Sequence, residues 1–466
     1  MKTPMKTTPF EQEREFSSFR DPSGCVFRRD GVLYRAIAPS YFPQYRALME
    51  SGLYAELQKF GAIVSHEEME SAADAIIIRP ERVPFISYPY EWAFGELRDA
   101  ALLTLKLHRR ALRHDMILKD ASAYNIQFMC GKPVLIDTLS FDFYKDGEPW
   151  GAYGQFCRHF LAPLLLMREK DVRLNRMLSL FIDGIPLDLA AEMLGGKGGL
   201  FAKEHIVWHA SSVAKHNEDG RKGLFGGKKR EAAGLSREKQ LAIIESLIRG
   251  IEDMRLEGVE TEWGDYYAHT NYSEAASAEK GRIVREYLEA LHPATVWDLG
   301  ANDGTYSKLA LDIGAQAVAF DIDPVAVERN YNEAKRTHAS ILPLVLDLTN
   351  PSPGIGFANR ERMTIGARQT PDCVMALAVI HHLAISNNIP LPMLAEWFAS
   401  LGKDLVIEFV PKEDSQVQVL LATRTDIFPG YTEEGFEAAF GRYYALRKKT
   451  PIPGTKRTLY LWERTE

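Results

Sequence analysis

The sequence has few cysteines and no long apolar run, and each absence excludes a class of protein. Its four cysteines form no C-x-x-C pair, which excludes a zinc ribbon and fits reduced thiols. No stretch approaches the roughly 20 apolar residues that span a bilayer. The positively charged start, MKTPMK, is not followed by the apolar core of a signal peptide. We therefore expect a cytoplasmic protein without a membrane span.

An excess of positive charge is also missing. The formal net charge is −7, which disfavours a general nucleic-acid-binding surface. With 46% hydrophobic and 26% charged residues, the composition is that of an ordinary globular protein. At roughly 100–200 residues per domain, the 466 residues predict two or three domains.

One segment departs from this composition. Between Gly195 and Arg237 there are nine glycines, and nine basic residues stand against four acidic ones. Such a stretch cannot bury a core of its own. It predicts a linker over residues 195–235, between a domain of residues 1–194 and a domain of residues 236–466. Its basic residues leave open a role in guiding an anionic substrate.

The second domain alternates strand and helix patterns. Short apolar runs separated by helix-length stretches are typical of parallel βαβ units; they lie at 295–299, 317–320, 342–346, 373–377 and 405–409. The last segment, YYALRKKTPIPGTKRTLYLWER, predicts a hairpin at the sheet edge. We therefore predict an α/β fold with a Rossmann-like sheet and a C-terminal β-hairpin.

A glycine-rich turn, in VWDLGANDGTYSKLAL, follows the first of these runs. A dinucleotide fingerprint requires G-x-G-x-x-G, but Asn302 and Thr305 replace its second and third glycines. This disfavours NAD. Asp298, followed by Gly300 and Gly304, instead resembles the first motif of class I S-adenosylmethionine-dependent methyltransferases.

Later motifs follow in the order of that family. Asp321 lies 23 residues after Asp298, near the interval at which a carboxylate meets a ribose diol. Asp347 ends the third run, and PDCVMALAVIHHL resembles the fourth motif. The resemblance implies S-adenosylmethionine as cofactor, bound by Asp298, Gly300, Asn302, Gly304, Asp321, Asp347 and Leu348.

Further candidates flank these motifs. His381 and His382 end the fourth motif, and we expect them to point to opposite faces of a strand end, so that only one acts as a catalytic base. Tyr267 and Asn271 precede the first helix of the unit; the tyrosine ring is expected to close over the sulfonium of the cofactor, and Asn271 to lie at the same site and orient the acceptor. Ordinary helix packing is the alternative for both.

The first domain carries a second resemblance. Asp120, Asn125 and Asp137 look like the D-x-x-x-x-N catalytic loop and the metal-binding aspartate of protein kinases and aminoglycoside phosphotransferases. This implies that Asp120 orients a hydroxyl nucleophile, whereas Asn125 and Asp137 hold Mg²⁺ on ATP. The resemblance predicts an α+β domain with a hairpin at 25–37, a lone helix at 41–57 and a hinge at 85–92.

This domain also departs from the kinase pattern. It has no glycine-rich loop, and Arg35 stands where the phosphate-pairing lysine is expected. An active kinase and an inactive accessory domain therefore both stay open. A separate metal site is a further alternative, because His205 and His209 are four residues apart with His216 nearby.

The sequence thus predicts a methyltransferase whose kinase-like domain presents or modifies the acceptor. A small molecule or a glycan precursor is favoured as acceptor, by analogy with kinase–methyltransferase fusions of bacterial polysaccharide chain termination. No N/D-P-P-Y motif ends the fourth strand, which disfavours an amino group of the base or glutamine kind. The alternatives are a bifunctional kinase–methyltransferase, a non-catalytic cofactor-binding protein and, because of the basic linker, an RNA methyltransferase.

Overall fold

A computed structural model describes residues 14–71, 74–207, 235–256, 258–259, 261, 272–422 and 424–465. The chain divides into two compact units. The first is drawn from Met1–Tyr90, Phe94–Glu257 and Gly354–Arg362, and the second from Glu91–Ala93, Gly258–Pro353 and Met363–Glu466. Each unit therefore takes one short segment from the part of the chain that mainly builds the other.

The first unit begins with an antiparallel sheet. Its strands are β1 (Gly24–Arg29), β2 (Val32–Ile37), β3 (His66–Ser71) and β4 (Ile76–Pro80), in the order β1-β2-β4-β3. Two helices, α1 (Phe42–Glu50) and α2 (Leu53–Lys59), connect β2 to β3. The prediction of one helix here was wrong, because Gly52 adopts a left-handed φ of 81° and interrupts it.

A long buried helix, α3 (Phe94–Arg113), follows the sheet in the chain. Its apolar face is fully buried and consists of Leu97, Ala101, Leu105 and Leu112. Two small antiparallel pairs come next: β5 (Met116–Leu118) with β8 (Phe141–Phe143), and β6 (Ile126–Met129) with β7 (Lys132–Leu135). These pairs place the predicted kinase-like residues on the loops that flank β6 and β7.

The rest of the first unit is helical. Its helices are α4 (Tyr153–Phe156), α5 (Ala162–Glu169), α6 (Met177–Leu180), α7 (Leu187–Leu194), α8 (Gly199–Ala202) and α9 (Arg237–Glu252), with π-helical turns at Cys157–Leu161 and Lys203–Val207. The helix α9 belongs to the first unit, whereas the sequence analysis began the second domain at residue 236. It belongs to the first unit because its apolar face packs on α3 and Arg109 bonds Glu245 at 2.8 Å.

The second unit is built on a seven-stranded sheet. Its strands are β9 (Thr295–Leu299), β10 (Gln316–Asp321), β11 (Ile341–Val345), β12 (Cys373–Ala376), β13 (Asp404–Phe409), β14 (Tyr444–Pro451) and β15 (Thr458–Arg464). Their order is β11-β10-β9-β12-β13-β15-β14. The first five are parallel, and β15 runs antiparallel to both of its neighbours. This confirms the predicted Rossmann-like sheet with its C-terminal hairpin.

Helices alternate with these strands. They are α10 (Glu274–Leu291), α11 (Ser307–Asp312), α12 (Pro324–Thr337), α13 (Ile365–Arg368), α14 (Leu391–Leu401), α15 (Ser415–Leu421) and α16 (Glu433–Phe440). The strand order reverses between β9 and β12, and open α/β sheets bind ligands beside the carboxyl ends of strands at such a point. In the part of the chain that the structure describes, no helix has the length and apolar character to cross a bilayer.

Candidate functional site

A cleft of about 370 Å³ opens at this reversal point of the second unit. Volumes of about 300–1,000 Å³ are typical of sites for small molecules and cofactors. The segments that follow β9, β10, β11 and β12 all contribute to its lining. Among the residues predicted from the motifs, it is lined by Asp298, Gly300, Asn302, Asp321, Asp347, Leu348 and His382.

The turn after β9 brings the backbone to the cleft surface. Gly300 has a φ of 79°, and a Cβ added to it would lie 2.2 Å from Cγ2 of Val379. Only glycine therefore fits this position without strain. Asn302, at a φ of 50°, donates its backbone N–H to Oδ2 of Asp321 at 2.7 Å. Gly304 belongs to the same turn, and a Cβ added to it would lie 2.5 Å from Nδ2 of Asn330. It does not line the cleft.

Two buried carboxyl groups face the cleft. Asp298 accepts a hydrogen bond from Ser307 Oγ at 2.6 Å, and Asp321 accepts the backbone N–H groups of Asn302 and Asp323. Burial raises the pKa of each to about 6, and neither forms an ion pair with any residue that the structure describes. Both are therefore suited to a cationic or hydroxyl-rich ligand.

The end of β11 supplies the third predicted acid. Asp347 lines the cleft next to Leu348, and its Oδ1 accepts hydrogen bonds from Thr349 N at 2.9 Å and Thr349 Oγ1 at 2.6 Å. These bonds hold the carboxylate at the carboxyl end of the strand. A second carboxylate oxygen is left for a ligand amino group.

The two histidines differ from their prediction. They lie on a helical turn after β12, which continues as a π-helix at His382–Ser386, and not at a strand end. Their ring centroids are consequently only 4.1 Å apart, so the expected opposite orientation was wrong. His382 lines the cleft, whereas His381 is buried beside it. Burial lowers the pKa of His382 to about 4 and holds that of His381 well below its usual value, so both rings are neutral at pH 7.

A buried charge network lies beside this cleft, and the sequence analysis missed it. Lys280 of α10 lines the cleft, and its Nζ lies 2.7 Å from Oε2 of Glu408 on β13. Arg457 contacts the other oxygen of Glu408 at 3.3 Å and both oxygens of Asp414. Tyr272, which lines the cleft, donates to Glu408. The side chains of Lys280, Glu408 and Arg457 are at most 4% exposed.

A signal for this network does exist in the sequence. Lys280 stands on the apolar face of α10, among Ala276, Ile283, Val284 and Tyr287. A lysine at such a position is seldom fully buried unless it is paired. Glu408 similarly interrupts an otherwise apolar strand, LVIEFV. A buried cation and a buried anion in one unit point to an internal ion pair.

The first unit has a cleft of its own, of about 450 Å³. Asp120, Asn125 and Asp137 line it together, as the kinase resemblance implies. Asp120 accepts a hydrogen bond from Gln155 Nε2 at 2.7 Å. Burial, followed by the charge of Asp137, raises the pKa of Asp120 above its usual value.

Asp137 is already paired inside this cleft. Ser140 Oγ donates to it, and Arg35 on β2 forms an ion pair with its Oδ1. Burial alone would raise the pKa of Asp137, but the Arg35 guanidinium together with hydrogen bonds from Ser140 and the backbone N–H of Leu139 holds that pKa below its usual value. Asn125 is linked to the same group, because its Nδ2 donates to Ser140 Oγ at 3.3 Å.

The remaining predicted candidates are either outside the described residues or bonded elsewhere in the first unit. Tyr267, Asn271, His209 and His216 lie outside the residues that the structure describes. His205 is buried, and its Nδ1 lies 2.7 Å from Oη of Tyr153. Within the described ranges, no group of three or more histidine, cysteine or acidic side chains is arranged to hold a metal ion.

The strand order, the glycine turn and the cleft at the reversal point define the second unit as a class I methyltransferase fold. The whole chain also has a relative in the nodulation protein NoeA of Rhizobium meliloti (strain 1021). The two are 34% identical over 464 residues, which cover 97% of this chain and 96% of that protein. The chain therefore belongs to the NoeA family. No protein-family model matches it.

Solved structures also resemble parts of the chain. The N-methyltransferase NodS from Bradyrhizobium japonicum WM9 is 11% identical, with a TM-score of 0.32 over 42% of this chain and 99% of that one. The magnesium protoporphyrin IX methyltransferase ChlM from Synechocystis PCC 6803, with bound SAH, is 18% identical, with a TM-score of 0.31 over 44% and 93%. WbdD, in complex with the kinase inhibitor LY294002, is 16% identical, with a TM-score of 0.28 over 41% of each chain.

Proposed function

We propose that the second unit is an S-adenosylmethionine-dependent methyltransferase. The observation that carries the proposal is the pair of buried carboxyl groups, Asp298 and Asp321, which face the cleft and form no ion pair with any described residue. A ligand with cationic and hydroxyl groups would complete them. The turn at Gly300, where no side chain fits, lets such a ligand approach the backbone.

The lining residues fit each part of this cofactor. Asp298 is placed to bind its ammonium group, and Asp321 to accept hydrogen bonds from its ribose hydroxyls. Asp347 and Leu348 are placed for the adenine, through a carboxylate acceptor and an apolar contact. Lys280, which lines the cleft and is held by Glu408, adds a cation for the carboxylate of the cofactor in this proposal.

In this proposal the acceptor binds beside His382. When bound, the cofactor would supply a methyl group on a cationic sulfur; a nucleophile attacks the methyl carbon, and the sulfur leaves as a neutral thioether. His382 is neutral at pH 7 because burial lowers its pKa to about 4. A neutral imidazole can accept the proton of a hydroxyl acceptor. The Nδ2 of Asn387 donates to the carbonyl of His382 at 3.0 Å, which fixes the turn that carries this ring.

The acceptor is proposed to be a small molecule or a glycan precursor. The cleft next to His382 is lined by Leu383, Leu420, Ser386 and Asn387. This combination suits a ligand that has both apolar surface and hydroxyl or amide groups.

Cofactor binding tests the proposal. Titration calorimetry with S-adenosylmethionine should show binding to the full chain and an affinity about tenfold lower in Asp321→Asn, because a charge-assisted hydrogen bond becomes a neutral one. Asp303→Asn is the matched control, since Asp303 belongs to the same turn, bonds Thr305 and does not line the cleft. Equal affinities for the two variants would contradict the proposal. Formation of S-adenosylhomocysteine with an added acceptor would separate an enzyme from a non-catalytic cofactor-binding protein.

A second candidate function concerns the first unit: phosphoryl transfer from Mg²⁺-ATP. It is favoured by the meeting of Asp120, Asn125 and Asp137 in one cleft. In this role Asp120 would orient the acceptor hydroxyl, whereas Asn125 and Asp137 would hold the metal. The Arg35 ion pair opposes it, because the metal would have to displace or accommodate that guanidinium. The candidate predicts Mg²⁺-ATP binding to the full chain that Asp137→Ala abolishes while S-adenosylmethionine binding survives; a wild-type chain that binds no ATP would contradict it.

A further inference from the structure

One wall of the first unit's cleft comes from a distant part of the chain. The segment Gly354–Arg362 follows β11 in the sequence but belongs to the first unit. Its ends are joined by backbone hydrogen bonds between Ile355 and Arg362, of 3.2 and 3.0 Å. The residues of this segment that line the cleft are Glu361 and Arg362.

Glu361 holds two arginines at this wall. Its side chain has no solvent exposure, and it accepts hydrogen bonds from Nε and Nη2 of Arg20 and from the backbone N–H of Phe357. Arg362 Nη2 lies 3.6 Å from the same carboxylate. Burial alone would raise the pKa of Glu361, but the hydrogen bonds from Arg20 and Phe357 together with the charges of Arg362 and Arg20 hold that pKa below its usual value. Two guanidinium groups thus meet Glu361, and Asp183, which also lines the cleft, lies 3.3 Å from Nη1 of Arg20 with a side chain that is 79% exposed. The two arginines at this wall are therefore balanced by one buried and one exposed carboxylate.

Two buried polar atoms at this wall have no hydrogen-bond partner among the residues that the structure describes. The guanidinium of Arg362 lies 4.3 Å from the ring centre of Tyr124, and its Nε makes no hydrogen bond to any described residue. Nδ1 of His159 is likewise without a partner in the described part of the chain, although the side chain is only 2% exposed. Arg362 and His159 line the same cleft and are close enough for the arginine charge to act on the imidazole. A buried polar group without a hydrogen bond is costly, so a ligand atom is expected here.

We propose that Arg20, His159 and Arg362 form a subsite for an oxyanion, a phosphate or a carboxylate, in the cleft of the first unit. The planar fork of Arg362 matches either group. His159 is neutral, because burial lowers its pKa to about 3, and a neutral ring can donate one hydrogen bond without adding charge. The remaining carboxylates of the cleft oppose an anion less than their number suggests, since Arg35 already neutralises Asp137. The inference is independent of methyl transfer and of phosphoryl transfer.

Anion binding to the full chain tests the subsite. Titration calorimetry should detect binding of inorganic pyrophosphate if the subsite takes a phosphate, and of succinate if it takes a carboxylate. In either case Arg362→Gln should weaken binding by about tenfold or more, because it removes a charge-assisted hydrogen bond. Arg360→Gln is the control. Arg360 belongs to the same segment as Arg362 but does not line the cleft, and its guanidinium lies over the ring of Phe16.

Three outcomes would overturn the proposal: no binding of either anion, unchanged binding in Arg362→Gln, or equal weakening by Arg360→Gln. The last would indicate general surface charge. If Arg362→Gln unfolds, Arg362→Lys retains the charge balance with Glu361 but loses the planar fork, and weaker binding by this variant supports the subsite. The thermal midpoint of each variant shows whether it is folded. No cofactor is present in the titration, so its result does not depend on the Asp321→Asn experiment.

Discussion

The two clefts of this protein treat their acidic residues in opposite ways. In the second unit, Asp298 and Asp321 are buried without an ion pair to any described residue, and burial raises the pKa of each to about 6. In the first unit, Asp137 is also buried, but Arg35 is paired with it and holds its pKa below the usual value. Burial is therefore common to the two clefts, and the position of the nearest cation distinguishes them.

This difference has consequences for ligand binding. The basic groups of the second unit, Lys280 and Arg457, are engaged by Glu408 and Asp414 and leave the cleft acids free for a ligand. In the first unit a ligand or metal at Asp137 must compete with an internal arginine. Acidic side chains without an internal ion pair can bind a cationic cofactor directly. An acid that is already paired with an internal arginine must first lose or share that ion pair.

The largest effect is expected on removing the anion at the centre of the second unit's network. Glu408→Ala would leave Lys280 and Arg457 buried without the carboxylate that they share. Breaking a buried pair in this way costs about 3–5 kcal/mol, and it should lower the free energy of unfolding measured in urea by that amount. Cofactor affinity should fall as well, since Lys280 lines the cleft.

Glu286→Ala provides the control for this variant. Glu286 pairs with Lys448 and Arg282 on the surface of the same unit, where the side chains are about half exposed. Exposed pairs contribute little because water and salt screen them. Similar losses of stability in the two variants would show that the buried network has no special role.

A smaller effect is expected from pH. S-adenosylmethionine affinity should fall on acidification through about pH 6, by roughly tenfold per pH unit for each carboxyl group whose ionised form is required. The stability of the second unit without cofactor should change in the opposite sense. Between the usual value of 3.8 and about 6, the folded chain binds more protons at Asp298 and Asp321, so the free energy of unfolding falls as pH rises.

Asp137 sharpens the contrast. Its lowered pKa contributes stability to the first unit that is present above the usual value of 3.8 and is lost as pH falls through the folded value.

Calorimetric affinities for S-adenosylmethionine, measured from about pH 5 to about pH 8, would check the prediction for the second unit, and Asp298→Asn should make the pH dependence of the affinity shallower. An affinity that does not vary with pH in the wild type would contradict the role given to both acids.

Much of the second unit could be predicted from local sequence. The five parallel strands were predicted to within a residue, because short apolar runs between helix-length segments specify βαβ units. Asp298, Asp321 and Asp347 follow from their position at strand ends, which meet at one edge of a parallel sheet. The turn at Gly300 is local as well, since its constraint is a single φ angle and one close neighbour.

What local sequence could not supply depends on contacts between distant residues. The helix α9 follows the linker, yet its apolar face packs on α3, more than a hundred residues earlier in the chain. Lys280 and Glu408 form an ion pair although 128 positions separate them in the sequence, so neither residue alone predicts the pair. The histidine pair was misplaced because the chain turns helical directly after β12, which no pattern in that short stretch specified.

The sequence by itself determined the two kinds of unit, the parallel sheet and the acids at its strand ends, because periodicity and turn chemistry act over a few residues. The tertiary structure alone decided which charges meet. It joined Arg35 to Asp137, Lys280 to Glu408, and Gly354–Arg362 to the cleft of the first unit. The physical reason is that the effect of a charge depends on distance and burial, and neither is a property of neighbours in the sequence.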